Sequence, residues 1–206
     1  MKDRRELVKE YNSKKAAIIK RLGEFRKLGR AGRRKIFPEL CFCLLTPQSN
    51  ARNCDSAIRE LKKKGLIFKG QAGSIKPILK GRARFHNKKA HYIVGARACF
   101  DPGILNNGDI SLVRETLVKN IKGLGYKEAS HFLRNIGLGR DIAILDRHIL
   151  KNLRSFGAID KLPASMTRRA YLDIEEKARR FAKKVRIPLE ELDLLFWSRE
   201  AGSIFK

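Results

Sequence analysis

Two side chains able to do chemistry stand at helix starts within the stretch Lys119 to Leu150. Lys127 falls in the first turn after a glycine hairpin, Gly123-Leu124-Gly125. Asp146 follows 19 positions later, at the end of an apolar, strand-like run, Ile142 to Leu145. A lysine amine is a nucleophile when unprotonated and a phosphate contact when charged. An aspartate at a helix start is either an N-cap or a carboxylate that stabilises nearby positive charge. The hairpin glycines permit positive φ and close backbone approach. The helix behind them offers unpaired N–H groups and a positive dipole end, a site for one phosphate. A glycine pair between helices is also the mark of a plain helical corner. The lysine and aspartate at this spacing set the stretch apart.

The flanking elements read as helices throughout. Residues 3 to 28 form a basic amphipathic pattern, with Leu7, Tyr11, Ile18, Ile19, Leu22 and Phe25 near helical spacing. A Gly-containing basic break, Gly29 to Arg34, precedes an apolar helix over Ile36 to Leu45 that Pro47 closes. Ser49 or Asn50 caps a helix to about Lys64. Gly65 to Gly73 reads as a connector, followed by a short helix near Ser74 to Leu79. Helices are expected over Asn87 to Cys99 and from an Asp109 or Ser111 cap to Asn120. Further helices are expected after Asp146 to Ser155, over Thr167 to Val185, and from Pro188 to about Arg199. Gly137 and Gly139 stop the helix that carries Lys127. No alternating strand pattern occurs, so the fold class is all-α.

Composition narrows the partners. The 206 residues carry 47 Lys and Arg against 21 Asp and Glu, a net charge of +26. The charge is spread along the chain, so it belongs to a folded surface that attracts polyanions. Nucleic acid is the first candidate, with a ribosomal or chromatin protein as the plainer one. No apolar run is long enough to span a membrane, and the charged N-terminus lacks a signal-peptide core. The expected location is the cytoplasm, with the DNA. Cys41, Cys43, Cys54 and Cys99 fit neither zinc nor iron–sulfur spacing. They read as small apolar residues of a reducing compartment. No metal site is expected.

The hairpin, Lys127 two positions on, and the Leu145-Asp146-Arg147-His148 run together resemble the helix-hairpin-helix–GPD superfamily of DNA glycosylases. Leu44 to Ser49, Arg84 to Ala90 and the extreme C-terminus resemble its small archaeal-type branch, the 8-oxoguanine DNA glycosylase/lyases. The resemblance implies two helical lobes, one of residues 1–45 and 141–206, the other of 46–140 with the helix-hairpin-helix at about 112–136. A DNA-binding cleft would lie between them. It implies double-stranded DNA containing oxidised guanine as partner, and no cofactor beyond a structural monovalent cation on the hairpin carbonyls. A monomer is expected.

In that setting Lys127 attacks C1′ of the damaged nucleotide, forms a Schiff base and permits β-elimination. Asp146 stabilises the oxocarbenium-like transition state. Gly123, Gly125 and His148 contact the DNA backbone, and Gln48 fills the gap or touches the opposite base. A flipped purine needs a stacking platform and hydrogen-bond partners. Trp197, the one tryptophan, and Asp193, one turn earlier, are candidates, with Phe85 covering the other side. Lys206 would recognise the N7–H of the oxidised base through its carboxylate. His131, one turn after Lys127, either faces the pocket or, as a lone helix histidine, is structural, and the structural reading is preferred. Two rivals stand beside this reading: another damaged base on the same scaffold, and a DNA-binding protein that grips phosphates without catalysis. The lysine disfavours monofunctional relatives, and the absence of cysteine after Cys99 disfavours the iron–sulfur branch.

Overall fold

The computed structural model describes residues 3–206. Eleven α-helices and one 3-10 turn make up the described chain, with no strand among the described residues. In order they are α1 (Arg4–Gly29), α2 (Gly32–Leu45), α3 (Ala51–Lys63), α4 (Leu66–Lys69), α5 (Ala72–Leu79) and α6 (His86–Cys99). After the 3-10 turn Pro102–Asn106 come α7 (Ile110–Asn120), α8 (Tyr126–Asn135), α9 (Arg147–Ser155), α10 (Arg168–Val185) and α11 (Leu189–Ala201).

Caps legible in the sequence set many boundaries. Asp3, Asn50, Asp109, Asp146 and Thr167 each accept a hydrogen bond from a backbone N–H of the helix they precede. Elsewhere tertiary packing overrides local signals. The expected break at Gly29 to Arg34 shrinks to Arg30 and Ala31, because α2 starts at Gly32 and carries Pro38 inside it. The expected connector at 65–73 contains the single turn α4. The run Ile142 to Leu145 is buried but belongs to no helix or strand, and it ends in a tight turn closed by the Asp146 N–H donating to the Ile144 carbonyl at 2.9 Å.

The apolar interior divides into two cores. One gathers the buried faces of α2 to α8, from Ile36 to Ile142. The other joins α1 to Ala143, Leu145 and α9 to α11. Helix α2 therefore packs with the middle of the chain, so the lobe boundary expected at residue 45 falls on the wrong side of it. The buried face of α2, with Leu40, Cys41 and Leu44, has its neighbours in the first core. The expectation for the cysteines needs one correction: Cys41, Cys43 and Cys54 are buried, but Cys99 is exposed.

The two cores meet along α1. Its C-terminal end presses on the end of α8 so closely that a Cβ at Gly29 would collide with the Ile136 carbonyl. Gly137, at φ +75°, lies against the Arg26 backbone. The two glycines thus permit close contact where the halves join, in addition to ending helices.

Candidate active site

A cavity of about 840 Å³ opens between the two cores. Lys127, His131 and Arg134 come to it from α8, and Ile144 to His148 from the irregular run and the start of α9. Gln48 and its neighbours enter from the turn after α2, Arg84 from the turn before α6, and Trp197 from α11.

The hairpin joins α7 to α8. Gly123 has φ +90°, and a Cβ there would run into the Tyr92 ring, so the turn requires glycine. Gly125 is extended rather than left-handed, at φ −89°, and is the N-cap of α8. With no side chain to cap it, α8 opens with its first N–H groups uncovered by any cap hydrogen bond. Lys127 sits in this first turn and pairs with Glu128, Nζ to Oε1 at 2.9 Å. Nothing in the sequence pattern singled out Glu128.

Asp146 caps α9. Its Oδ1 accepts the N–H groups of His148 and Ile149, both at 2.8 Å. Its Oδ2 takes no hydrogen bond among the described residues. Cap and charge stabiliser are compatible roles, since one oxygen serves each.

The backbone that carries Asp146 is held by side chains where a sheet would have used strands. Glu175 of α10 accepts the Ala143 N–H at 2.8 Å. The Tyr171 hydroxyl donates to the Ala143 carbonyl at 2.6 Å and accepts the Leu145 N–H at 3.3 Å. Arg114 of α7 donates to both Glu175 oxygens, at 2.7 and 2.9 Å, and to Ser130 of α8 at 3.2 Å. One buried network thus ties the hairpin helices to the run ahead of Asp146. It fixes the reach between the amine and the carboxylate. Nothing in the sequence pattern singled out Arg114 or Glu175, and only their partners in space mark them.

The remaining sequence candidates divide. Gln48, His148 and Trp197 line the cavity with Lys127 and Asp146. His148 places Nδ1 3.1 Å from Glu200. His131 also lines the cavity, the side on which its place one turn after Lys127 would put it. It is buried, and burial among Arg134, Lys127 and Lys206 holds its imidazole well below the usual range, so it is neutral.

Asp193 does not face the cavity. It is buried between α8 and α11, 3.5 Å from Arg134, and borders an apolar hole with Ala143 and Leu153. Burial pushes its carboxyl up to about 7, against the pull of Arg134 and with the charge of Asp146 adding to the rise. Asp193 and Trp197 stand one turn apart on α11, but Asp193 turns inward while Trp197 lines the cavity, so the expected shared face toward the base is not what the helix presents. Phe85 is not among the lining residues. Its ring is half exposed, with the Arg84 guanidinium over it at 5.2 Å.

The chain end folds back. The Lys206 ammonium donates to Asp55 at 2.7 Å and Glu39 at 3.1 Å, and lies 4.4 Å from the centre of the Phe42 ring. Arg52 holds Ser203 at 2.7 Å.

All-helical halves around one cationic cavity, with a helix-hairpin-helix presenting a lysine opposite a capping aspartate, define the glycosylase class to which the sequence resemblance pointed. The chain belongs to the 8-oxoguanine DNA glycosylase family: the family model described as "Ogg-HhH: 8-oxoguanine DNA glycosylase" matches residues 18–187. A relative from Fusobacterium nucleatum named 8-oxoguanine DNA glycosylase/AP lyase is 46% identical, over 98% of this chain and 96% of its own length. One of the same name from Methanocaldococcus jannaschii is 40% identical, over 93% of each. The crystal structure of the M. jannaschii glycosylase/lyase with a 15mer DNA containing 8-oxoguanine superposes with a TM-score of 0.88. It covers 98% of this chain and all of that one, at 37% identity. The Thermotoga maritima 8-oxoguanine DNA glycosylase gives 0.85 at 34% identity, over 99% and 100%.

Proposed function

We propose that this protein is a bifunctional glycosylase/lyase that excises 8-oxoguanine from double-stranded DNA and nicks the strand through a Schiff base on Lys127. The observation that carries the reading is that Lys127 and Asp146 open onto one cavity beside the hairpin. Family membership supplies the lesion. In this reading the hairpin amides and His148 grip the backbone, and the damaged nucleotide rotates into the cavity. Trp197 offers a stacking face, and the Lys206 carboxylate is the acceptor for the N7–H that guanine lacks.

As the bond from C1′ to the base breaks, positive charge grows on the sugar, and Asp146 stabilises it. The Lys127 amine attacks C1′, and the base leaves with the bond's electron pair and takes up a proton. Opening of the sugar gives an iminium ion. Loss of a proton from C2′ then expels the 3′ phosphate and breaks the C3′–O bond. Water hydrolyses the imine and restores Lys127. A monovalent cation on the hairpin carbonyls remains part of the proposal. The Ile121 carbonyl is already taken by the Leu124 N–H at 3.1 Å, and no step depends on the ion. No helix among the described residues is long and apolar enough to cross a membrane. We place the protein in the cytoplasm as a monomer acting on DNA.

Borohydride trapping on an 8-oxoguanine duplex tests the mechanism. Wild type should give a covalent adduct, and Lys127→Gln should give none. An adduct that survives Lys127→Gln moves the nucleophile elsewhere. Indifference to Asp146→Asn removes the carboxylate from the reaction.

A further inference from the structure

One buried cation at the cavity mouth has no part in the chemistry above. Lys89, on α6, is buried, and its ammonium donates to the Leu45 carbonyl at 2.7 Å, the Pro47 carbonyl at 2.7 Å and Ser49 Oγ at 2.9 Å. Ser49 Oγ also accepts the Arg84 N–H at 2.9 Å. One ammonium and one hydroxyl therefore bind the turn after α2 to the turn before α6.

Each of these turns carries a strained residue. Gln48 has φ +53° and Phe85 has φ +57°. The other non-glycine residue with positive φ among those described, Arg186, is a helix C-cap. Left-handed backbone is unfavourable for a side-chain-bearing residue and persists only where its surroundings impose it. Both strained residues are exposed and point away from the cores. Arg84 stacks on the Phe85 ring, 5.2 Å from its centre.

A helix end is capped cheaply by an exposed lysine or a glycine, so capping α2 alone does not require burying an ammonium. Burial pushes the Lys89 amine down to about 8, a mark of that cost. What the costly contact obtains is the fixed geometry of two adjacent turns at the edge of the site.

We propose that Lys89 is a positioning residue: through Ser49 it holds Gln48 and the Arg84–Phe85 pair as a rigid two-pronged probe that enters the duplex beside the extruded nucleotide. The inference rests on the excision reading above and adds how extrusion is stabilised. Taking a base out of the stack loses pairing and stacking. An amide that fills the vacated space and a ring that stacks on a neighbour replace part of that loss. Prongs already held in position avoid the entropy of ordering them at each encounter. A single strand has no pairing to replace, so the probe matters little there.

The test uses Ser49→Ala, which cuts the tie to Arg84 while leaving the two carbonyls to Lys89, and Lys89→Met. Two readouts are compared: excision of 8-oxoguanine from a duplex, and borohydride trapping on a single-stranded abasic oligonucleotide. Ser49→Ala removes the acceptor shared by the Lys89 ammonium and the Arg84 N–H and should slow duplex excision by at least about fivefold, and Lys89→Met should slow it further. Trapping on the single strand should stay within about twofold. Parallel losses in both readouts, or no loss of duplex excision with Ser49→Ala, overturn the probe and make Lys89 a structural cap. A wild-type protein that traps neither substrate overturns the excision reading itself, and the probe with it.

Discussion

Two buried arginine–carboxylate pairs flank the reacting centre and are built differently. Arg114 and Glu175 meet side by side at 2.7 and 2.9 Å, and the same carboxylate takes the Ala143 N–H and a bond from Arg179 at 2.9 Å. Arg134 and Asp193 are also almost wholly buried, yet their closest approach is 3.5 Å. Both Asp193 oxygens, and Nε and Nη1 of Arg134, lack a hydrogen-bond partner among the protein atoms described, whereas only Nε of Arg114 does. The first pair fixes backbone. The second places charge at the cavity wall and under Asp146 without fixing anything. The contrast teaches that burial alone does not show what an ion pair is for. A pair whose carboxylate and most of whose donors are hydrogen-bonded is scaffolding, while one held by field alone is placed at the expense of stability.

The largest effect expected from breaking this contrast is at Arg114. Arg114→Met leaves Glu175 buried without its strongest partner, and urea unfolding should show a loss of roughly 3–5 kcal/mol. A loss below about 1 kcal/mol would mean that the network is not the scaffold. Second, Arg114→Met combined with Glu175→Leu removes both charges, and stability should return to within about 2 kcal/mol of wild type. Excision should stay impaired, because the Ala143 N–H has lost its acceptor. Full recovery of excision would separate the network from the placement of Asp146.

The smallest effect is at Asp193. Its carboxyl is raised from 3.8 to about 7 in the folded protein. Between these values the folded state binds more protons than the unfolded one, so this group costs stability progressively as pH rises through that window. Asp193→Asn removes that slope and should be neutral or stabilising at neutral pH. Thermal melts of both proteins from pH 4 to 7.5 would check it, and parallel curves would refute the raised carboxyl.

The sequence spoke clearly wherever local chemistry decides. Asp146, Asp109 and Asn50 are caps by residue type, and the amine, carboxylate and hairpin share one stretch of chain, whose family resemblance joined Lys127 to Asp146. Family resemblance supplied the layout and lesion that spacing could not. What stayed hidden depends on which way a helix turns in space. Asp193 and Trp197 share helical spacing, but the roll of α11 sends one inward and the other to the cavity. Glu175, Arg114 and Lys89 look like ordinary members of a basic, charged surface, because nothing local marks an ion that the fold will bury. The assignment of α2 failed for the same reason: its apolar face names no partner until the neighbouring helices are in place.

The run before Asp146 is held by bonds from Tyr171 and Glu175 of α10, a helix that lies later in the chain. During synthesis both side chains proposed to react, Lys127 and Asp146, leave the ribosome before Tyr171 and Glu175 do. A nascent chain stopped short of α10 carries the amine and the carboxylate with no fixed distance between them. The cutting machinery is therefore assembled late, and a truncated product has the parts of a strand-nicking enzyme without the frame that arms it.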